Sequence, residues 1–562
     1  MEKKGSLLLI VAISLCLNIL GINWGIPKDD YLMFYHTGQE MVSITGGISQ
    51  EYVKKSWEKS RTAGEEKIPR SVFNSIRSFH PDEHNIIKSI SNMNPGSFNF
   101  NPHFFEYPSF FIYFVAFLLG LASIAGIAKL TPDISFYFAH PGEMGIFCMV
   151  GRAGVVLLSV LGVIFLYKAA ENFFNRKTAF LAALMTAITP LYVINSHYMT
   201  VDVPMIFWIT LCLYFLSLFW IGKRLSFFYL AAVAVGMAAG TKYPAAFVWF
   251  ILPLFYAGLK AKISSIFSRP VVLAFFLTAL VFFITTPYAI FSFGEFRRDL
   301  FYQVASRGFG AGALPRGFIL GLFKNSIAAA TSGFFTLSAV FFVSAAASIF
   351  TRGKSRFFLA GLIFSLIPIL LSSSFKYARY YLIALPFASL LAACFIENLT
   401  KLYSRCVLIK ATVVILMILP FFKSLAYSVH MALEDVRIEA ARYVDENIPY
   451  SSRIIFTKDP WIFEVPPVSS ANYDTSVVDM GKDLSMVRSG SFLVIGELQH
   501  YLGYGSRLSR ESWLIGEIEG YGYRLEKKFK RSPGIFSIRY DADRTIHDMI
   551  YTHPAIYLFR KT

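Results

Sequence analysis

The side chains suited to chemistry fall in a few short stretches. In Phe79-His80-Pro81-Asp82-Glu83-His84, two adjacent carboxylates stand beside two histidines. Such a group can supply a general base that takes a proton from an attacking nucleophile. The same residues also suit an ordinary polar turn, since Asp after Pro is common turn chemistry. His80, Asp82 and His84 could ligate a divalent metal, but their spacing is not distinctive and lends a metal no support. Asn101-Pro102-His103-Phe104-Phe105-Glu106-Tyr107-Pro108-Ser109 places His103 among prolines and aromatics, a composition that fits an interfacial aromatic belt as well as a site. His197-Tyr198-Met199-Thr200-Val201-Asp202-Val203-Pro204 sets Asp202 at the edge of an apolar run. A carboxylate there is costly unless solvated or paired, though it can cap a helix whose first turn holds Pro204. Gly240-Thr241-Lys242-Tyr243-Pro244 puts Lys242 and Tyr243 between two apolar runs, and Phe375-Lys376-Tyr377-Ala378-Arg379 adds Lys376 and Arg379. An Arg fork matches a phosphate bidentately, whereas a Lys is a point charge that can also snorkel. Arg297, Arg298 and Arg307 read as lipid-headgroup contacts.

The elements that must position these groups are membrane helices. The 562 residues are 55% hydrophobic and 16% charged, against roughly a quarter charged in soluble domains. Apolar runs near bilayer length occupy about 6–24, 109–128, 146–167, 179–195, 203–221, 225–240, 244–259, 270–286, 334–350, 357–373, 380–397 and 406–423. The net charge of +17 does not indicate nucleic acid, because much of it lies in short loops between those runs. Lys168, Arg176 and Lys177, then Lys223 and Arg224, then Lys260, Lys262 and Arg269, then Arg352, Lys354 and Arg356, then Lys401 and Arg405 are the cytoplasmic clusters that the positive-inside rule expects. Lys3 and Lys4 put the N-terminus on the same side, with 6–24 as an uncleaved first span. The five cysteines lie in apolar runs and form neither a disulfide framework nor a metal spacing.

Alternation of the basic loops works for every run after residue 146 only if 109–128 does not cross but lies in the interface or re-enters. That gives about eleven spans, or twelve and more if a further helix lies in 317–331. The expected architecture is mostly α and polytopic. A membrane domain occupies 1–423, with a large outer region at 25–145, and a small extracytoplasmic α/β domain occupies 424–562. In that tail Leu433, Val436, Ala440, Tyr443 and Val444 make one helical face, and β-rich runs occupy 453–457, 492–496, 534–539 and 555–559. No nucleophile elbow, phosphate loop or metal spacing appears there.

Taken in order, HPDEH with NPHFFEYPSFFIYF, GRAGVVLLSVLGVIFLYKAAENFFNRKTAFLAALMTAITP, SHYMTVDVP, GTKYP and KYARYYLIALP give the chain its likeness. Over about 79–386 it resembles the GT-C superfamily of polyprenyl-phosphate-sugar-dependent glycosyltransferases, the protein O-mannosyltransferase and aminoarabinose transferase group above all. The resemblance implies a catalytic base in the first outer loop, mapping to Asp82 with Glu83 beside it. It implies a second loop acid at Asp202, cations for the lipid phosphate at Lys242, Arg379 and Lys376, and sugar or acceptor positioning by His197, His103 and Tyr243. It also implies an interfacial helix after the first acidic motif. The chain departs from the group in the roughly 55 residues between the first span and HPDEH, which include Asp29-Asp30 and make Asp30 a rival base. No WWDYG-type motif is present, which argues against asparagine glycosylation.

The implied partners are a polyprenyl-phosphate-linked sugar, an acceptor that is protein, lipid or glycan, and membrane lipids. No nucleic acid or nucleotide is needed, because the donor is already activated. The chief rival is a transporter or flippase of a lipid-linked glycan, which would also use intramembrane charge. The acids here lie in loops and no internal repeat is evident, whereas transporters commonly show paired halves.

Overall fold

In the computed structural model the described residues are 5–35, 38–45, 70–306, 327–328, 330–351, 353–371, 377–500, 507–540 and 546–562. Lys376, Arg307, most of 317–331 and the charged stretch 54–69 lie outside them. The described residues fall into two compact units. One comprises Met1–Leu20, Ile86–Phe117 and Arg152–Ser428; the other comprises Gly21–Asn85, Leu118–Gly151 and Val429–Thr562.

The first unit is a set of apolar helices. Among the described residues, five are long and apolar enough to cross a membrane: Pro141–Phe173, Asp202–Gly222, Tyr243–Lys260, Ala378–Leu402 and Val407–Asn447. A sixth candidate is Arg176–Ala187 with Pro190–Ser196, bent by 59°. Asn175 starts this pair by accepting from the backbone N–H groups of Lys177 and Thr178. The break comes where Pro190, lacking an N–H, opens the second helix, as proline does at a first helical position. Shorter apolar helices occupy Gly5–Ile19, Phe110–Ile124, Leu225–Thr241, Arg269–Thr285, Leu337–Phe350 and Ser355–Ile369. These match the apolar runs of the sequence, and the protein is an integral, multi-pass membrane protein.

The hairpin formed by Asp202–Gly222 and Leu225–Thr241 positions the site. Lys223 takes the left-handed conformation (φ 54°) and ends the first helix, with its N–H bonded to the Phe219 carbonyl. Two residues later the second helix runs back. The start of one helix thereby meets the end of the other, and close packing follows: a Cβ at Gly236 would lie 2.8 Å from the Thr278 carbonyl of helix Arg269–Thr285.

The second unit contains a sheet of order β2-β1-β3-β7-β4, with β1 Arg453–Phe456, β2 Asp474–Val477, β3 Phe492–Gly496, β4 Tyr523–Phe529 and β7 Ile556–Lys561; β5 Gly534–Ile535 and β6 Ile538–Arg539 form a small hairpin. β1 is parallel to β2 and β3, and β7 is antiparallel to β3 and β4. Alternate side chains serve two cores. Ile454, Phe456, Val494 and Leu558 pack with Ala440 and Val444, while Ile455, Leu493, Ile495 and Phe559 pack with Leu514 and Ile518. Both faces are covered, so β3 reads as a continuous apolar run. Polar β2 and β4 carried no such signal, and the β-rich run 534–539 folds as the β5–β6 hairpin.

Candidate functional site

In the first unit the antiparallel hairpin brings Asp202 to Lys242. Asp202 begins its helix and Lys242 follows the end of its own, so each charge sits where the helix field favours it. The Lys242 ammonium donates to Asp202 Oδ1 at 2.5 Å, and both residues are buried. The ammonium also lies 5.2 Å from the centre of the Tyr380 ring. Pairing makes the two charges tolerable at this depth, where either alone would be expensive.

Lys242 lines a cavity of about 300 Å³ whose other polar walls are Glu106, Gln303, Tyr107, Tyr243 and Tyr380. A second cavity of about 500 Å³ shares Tyr243, Phe247 and Leu300 with the first and is walled by Trp249, Phe275 and Phe282. One end of the combined hollow is charged and the other almost wholly apolar. Arg379 stacks over Tyr377 at 4.8 Å in the same short 3-10 segment, Ala378–Ala384, that supplies Tyr380.

The aromatic segment after residue 100 forms one wall of that hollow. Helix Phe293–Ser306 presents Glu295, Asp299 and Gln303 at four-residue intervals, hence on one face. His103 Nδ1 meets Glu295 at 3.0 Å, the Phe105 N–H donates to Asp299 at 2.9 Å, and Gln303 donates to Glu106 at 2.7 Å. The Tyr243 hydroxyl adds a bond to the Phe105 carbonyl at 2.8 Å. His103, at φ +48° and half-exposed, therefore acts as a latch of this wall, and Tyr243 as a second one. His197 is buried, with its two ring nitrogens at 2.8 Å from the Val193 and Leu20 carbonyls. It ties the first helix to Pro190–Ser196, so the structure gives it a packing role.

Asp82 and Glu83 belong to the second unit. They are not in an open turn: Pro81–Ser91 is a helix with both acids in its first turn. Proline opens it and the carboxylates suit its positive end. Glu83 is fully buried and accepts from the Ser78 hydroxyl at 2.5 Å, whereas Asp82 is half-buried. The Asp82 N–H donates to His80 Nδ1 at 3.3 Å, which places the imidazole proton on Nε2. Asp30, exposed in the short helix Asp29–Phe34, lines a polar cavity of about 300 Å³ in the same unit with Lys28, Glu434 and Arg442. Burial and the carboxylates of Asp435 and Glu434 push the neighbouring Tyr31 phenol up to about 12.

Asp202, Lys242, Tyr243 and Arg379 thus fall in one unit and Asp82, Glu83 and Asp30 in the other. Among the described residues no group of three His, Cys, Asp or Glu side chains is placed to hold a metal ion. Glu106 and Gln303 were not singled out from sequence; the only hint was an acid inside an otherwise aromatic segment.

No curated protein sequence matches the chain. Among solved structures it is similar at 13% identity to the oligosaccharyltransferase of Archaeoglobus fulgidus in complex with zinc and sulfate, over 80% of this chain and 67% of that one, with a TM-score of 0.42. It is similar at 12% identity to ArnT from Cupriavidus metallidurans bound to undecaprenyl phosphate, over 85% and 93%, with a TM-score of 0.41. Residues 148–289, which include Asp202, Lys242 and Tyr243, match a family model described as dolichyl-phosphate-mannose-protein mannosyltransferase. Over that segment the chain is similar to that mannosyltransferase family, in keeping with the resemblance that its motifs carry.

Proposed function

We propose that the protein is an inverting glycosyltransferase that moves a sugar from a polyprenyl-phosphate donor to an acceptor on the outer side of the membrane. The observation that carries this reading is the two-ended hollow, in which the Lys242–Asp202 pair stands at one end and an aromatic, apolar channel at the other. A prenyl chain with a phosphate head has that polarity, and the family match falls on the same helices. Lys242 and Arg379 hold the departing phosphate, with Asp202 fixing the lysine. Asp82 takes the proton of the acceptor hydroxyl or other nucleophile. The nucleophile attacks the anomeric carbon from the face opposite the phosphate, the carbon–oxygen bond to the phosphate breaks, and polyprenyl phosphate leaves as the anion. His103 and Tyr243 act through the wall they latch. The acceptor is a protein, lipid or glycan.

A sugar-free prenyl phosphate carrying a photoreactive chain tests the donor site. It is expected to label residues around Phe247 and Phe282, and labelling is expected to fall with excess unlabelled prenyl phosphate. Labelling elsewhere, or at Phe247 by the prenyl alcohol equally well, would remove the basis for this reading.

We further propose eleven spans, with the N-terminus in the cytoplasm and the tail outside. Helix Phe110–Ile124 is the exception, because the basic loops alternate sides for every later run only if it does not cross. It is expected to lie in the outer interface. Single cysteines at Lys129 and Glu143 should both react with an impermeant maleimide added outside intact cells. Labelling of both only after the cytoplasmic face is opened would reverse the topology.

A further inference from the structure

Resting on the glycosyl-transfer reading, we propose that the C-terminal tail positions the catalytic turn, with Arg437 and Tyr551 as the positioning residues for Asp82. Arg437 is fully buried in the first turn of helix Val436–Asn447. Its guanidinium forks onto Asp435 with two bonds of 2.7 Å, and donates to the Phe463 carbonyl at 2.8 Å and the Tyr551 carbonyl at 2.9 Å. Asp435 is also held by the Trp24 indole N–H at 3.0 Å. One cation thus joins the tail helix, the loop after β1, the segment before β7 and the outer segment around Trp24.

Two routes lead from this hub to the acid. The guanidinium lies 4.1 Å from the centre of the Phe79 ring, which packs edge-on against Trp24. The Phe79 N–H donates to the Gly25 carbonyl at 2.8 Å. Gly25 is in the left-handed region at φ +56°, and a Cβ there would lie 2.6 Å from the Phe79 ring, so only glycine lets the ring settle. The second route passes through Tyr551. Its ring meets the next residue, His80, edge-on at 5.3 Å, and is itself backed by His547 at 5.1 Å. His80 Nδ1 accepts the Asp82 N–H. Phe79, His80 and the backbone of Asp82 are therefore set by tail residues some 350 positions or more away in sequence.

Such a clamp suits a general base, because misplacement by about 1 Å can cost on the order of 10²-fold in rate. It also makes the tail a contributor to turnover rather than a separable acceptor module.

Removing Arg437 strands Asp435, so Tyr551 is the better probe. Tyr551→Leu keeps the carbonyl that Arg437 uses and removes only the ring against His80. It is expected to lower kcat about 10–100-fold, with donor KM within about twofold and amide exchange at residues 80–85 accelerated. Tyr551→Phe is expected to restore kcat and slow exchange together. If Tyr551→Leu does not fold, Phe79→Leu is the second probe, with the same expected outcome. Unchanged kcat and unchanged exchange at 80–85 in a folded variant would overturn the proposal. The exchange readout needs no substrate. Faster exchange in a protein whose wild type transfers no sugar would therefore refute the glycosyl-transfer reading and leave the coupling standing.

Discussion

Asp82→Asn is expected to lower sugar transfer by about 10²–10⁴-fold, equivalent to about 3–5 kcal/mol of barrier, while donor affinity and thermal midpoint stay near wild type. Asparagine keeps the shape and cannot take a proton at neutral pH. Asp82 is half-buried in the first turn of Pro81–Ser91, where either side chain is tolerated. The neighbour differs. Glu83 is fully buried and bonded to Ser78, so Glu83→Gln should show first as a lower thermal midpoint. Asp30→Asn is the control for the alternative base; being exposed, it is expected to keep both fold and turnover. Transfer surviving in Asp82→Asn, with a folded but inactive Asp30→Asn, would move the base to Asp30.

The second large effect concerns Lys242. Lys242→Met should cost about 3–5 kcal/mol of stability, because it leaves the buried Asp202 carboxylate without its partner. Adding Asp202→Leu removes the stranded charge and is expected to return most of that stability, since replacing a whole buried pair by apolar groups is often close to neutral. The double variant is the informative one. It should be folded and still bind the donor about 10–100-fold more weakly, having lost a charge-assisted contact to phosphate. Wild-type donor affinity in the stable double variant would show that the pair is structural only. Arg379→Ala should weaken donor binding too, with less effect on stability, because Arg379 is only partly buried.

The membrane helices were legible because apolar length and basic loops are local signals: the runs 203–221 and 225–240 became Asp202–Gly222 and Leu225–Thr241. The Lys242–Asp202 contact was half-legible. Both charges stood out as expensive, but only the two-residue turn at Lys223-Arg224 dictates that they meet. The surroundings of His197 were half-legible: its bond to the Val193 carbonyl is a local helical contact, but its bond to the Leu20 carbonyl joins positions 177 apart in sequence. The Arg437 hub was invisible for a stronger reason. Trp24 and Asp435 are separated by 411 positions, and nothing periodic in either stretch announces the partner. In the tail, β1 and β3 were readable as apolar runs, while β4, whose Glu526, Lys527 and Lys528 break any apolar pattern, was fixed by its pairing with β7.

The most direct test of transfer uses the purified full-length chain in vesicles with a polyprenyl-phosphate sugar labelled separately in sugar and lipid, together with an acceptor extract from the native membrane. Sugar label is expected to leave the lipid as free polyprenyl phosphate accumulates, with one polyprenyl phosphate formed per sugar transferred and about 10²–10⁴-fold less of both in Asp82→Asn. The product should carry the anomeric configuration opposite to the donor. A donor that stays intact while its sugar merely changes sides of the membrane would contradict transfer and identify a flippase.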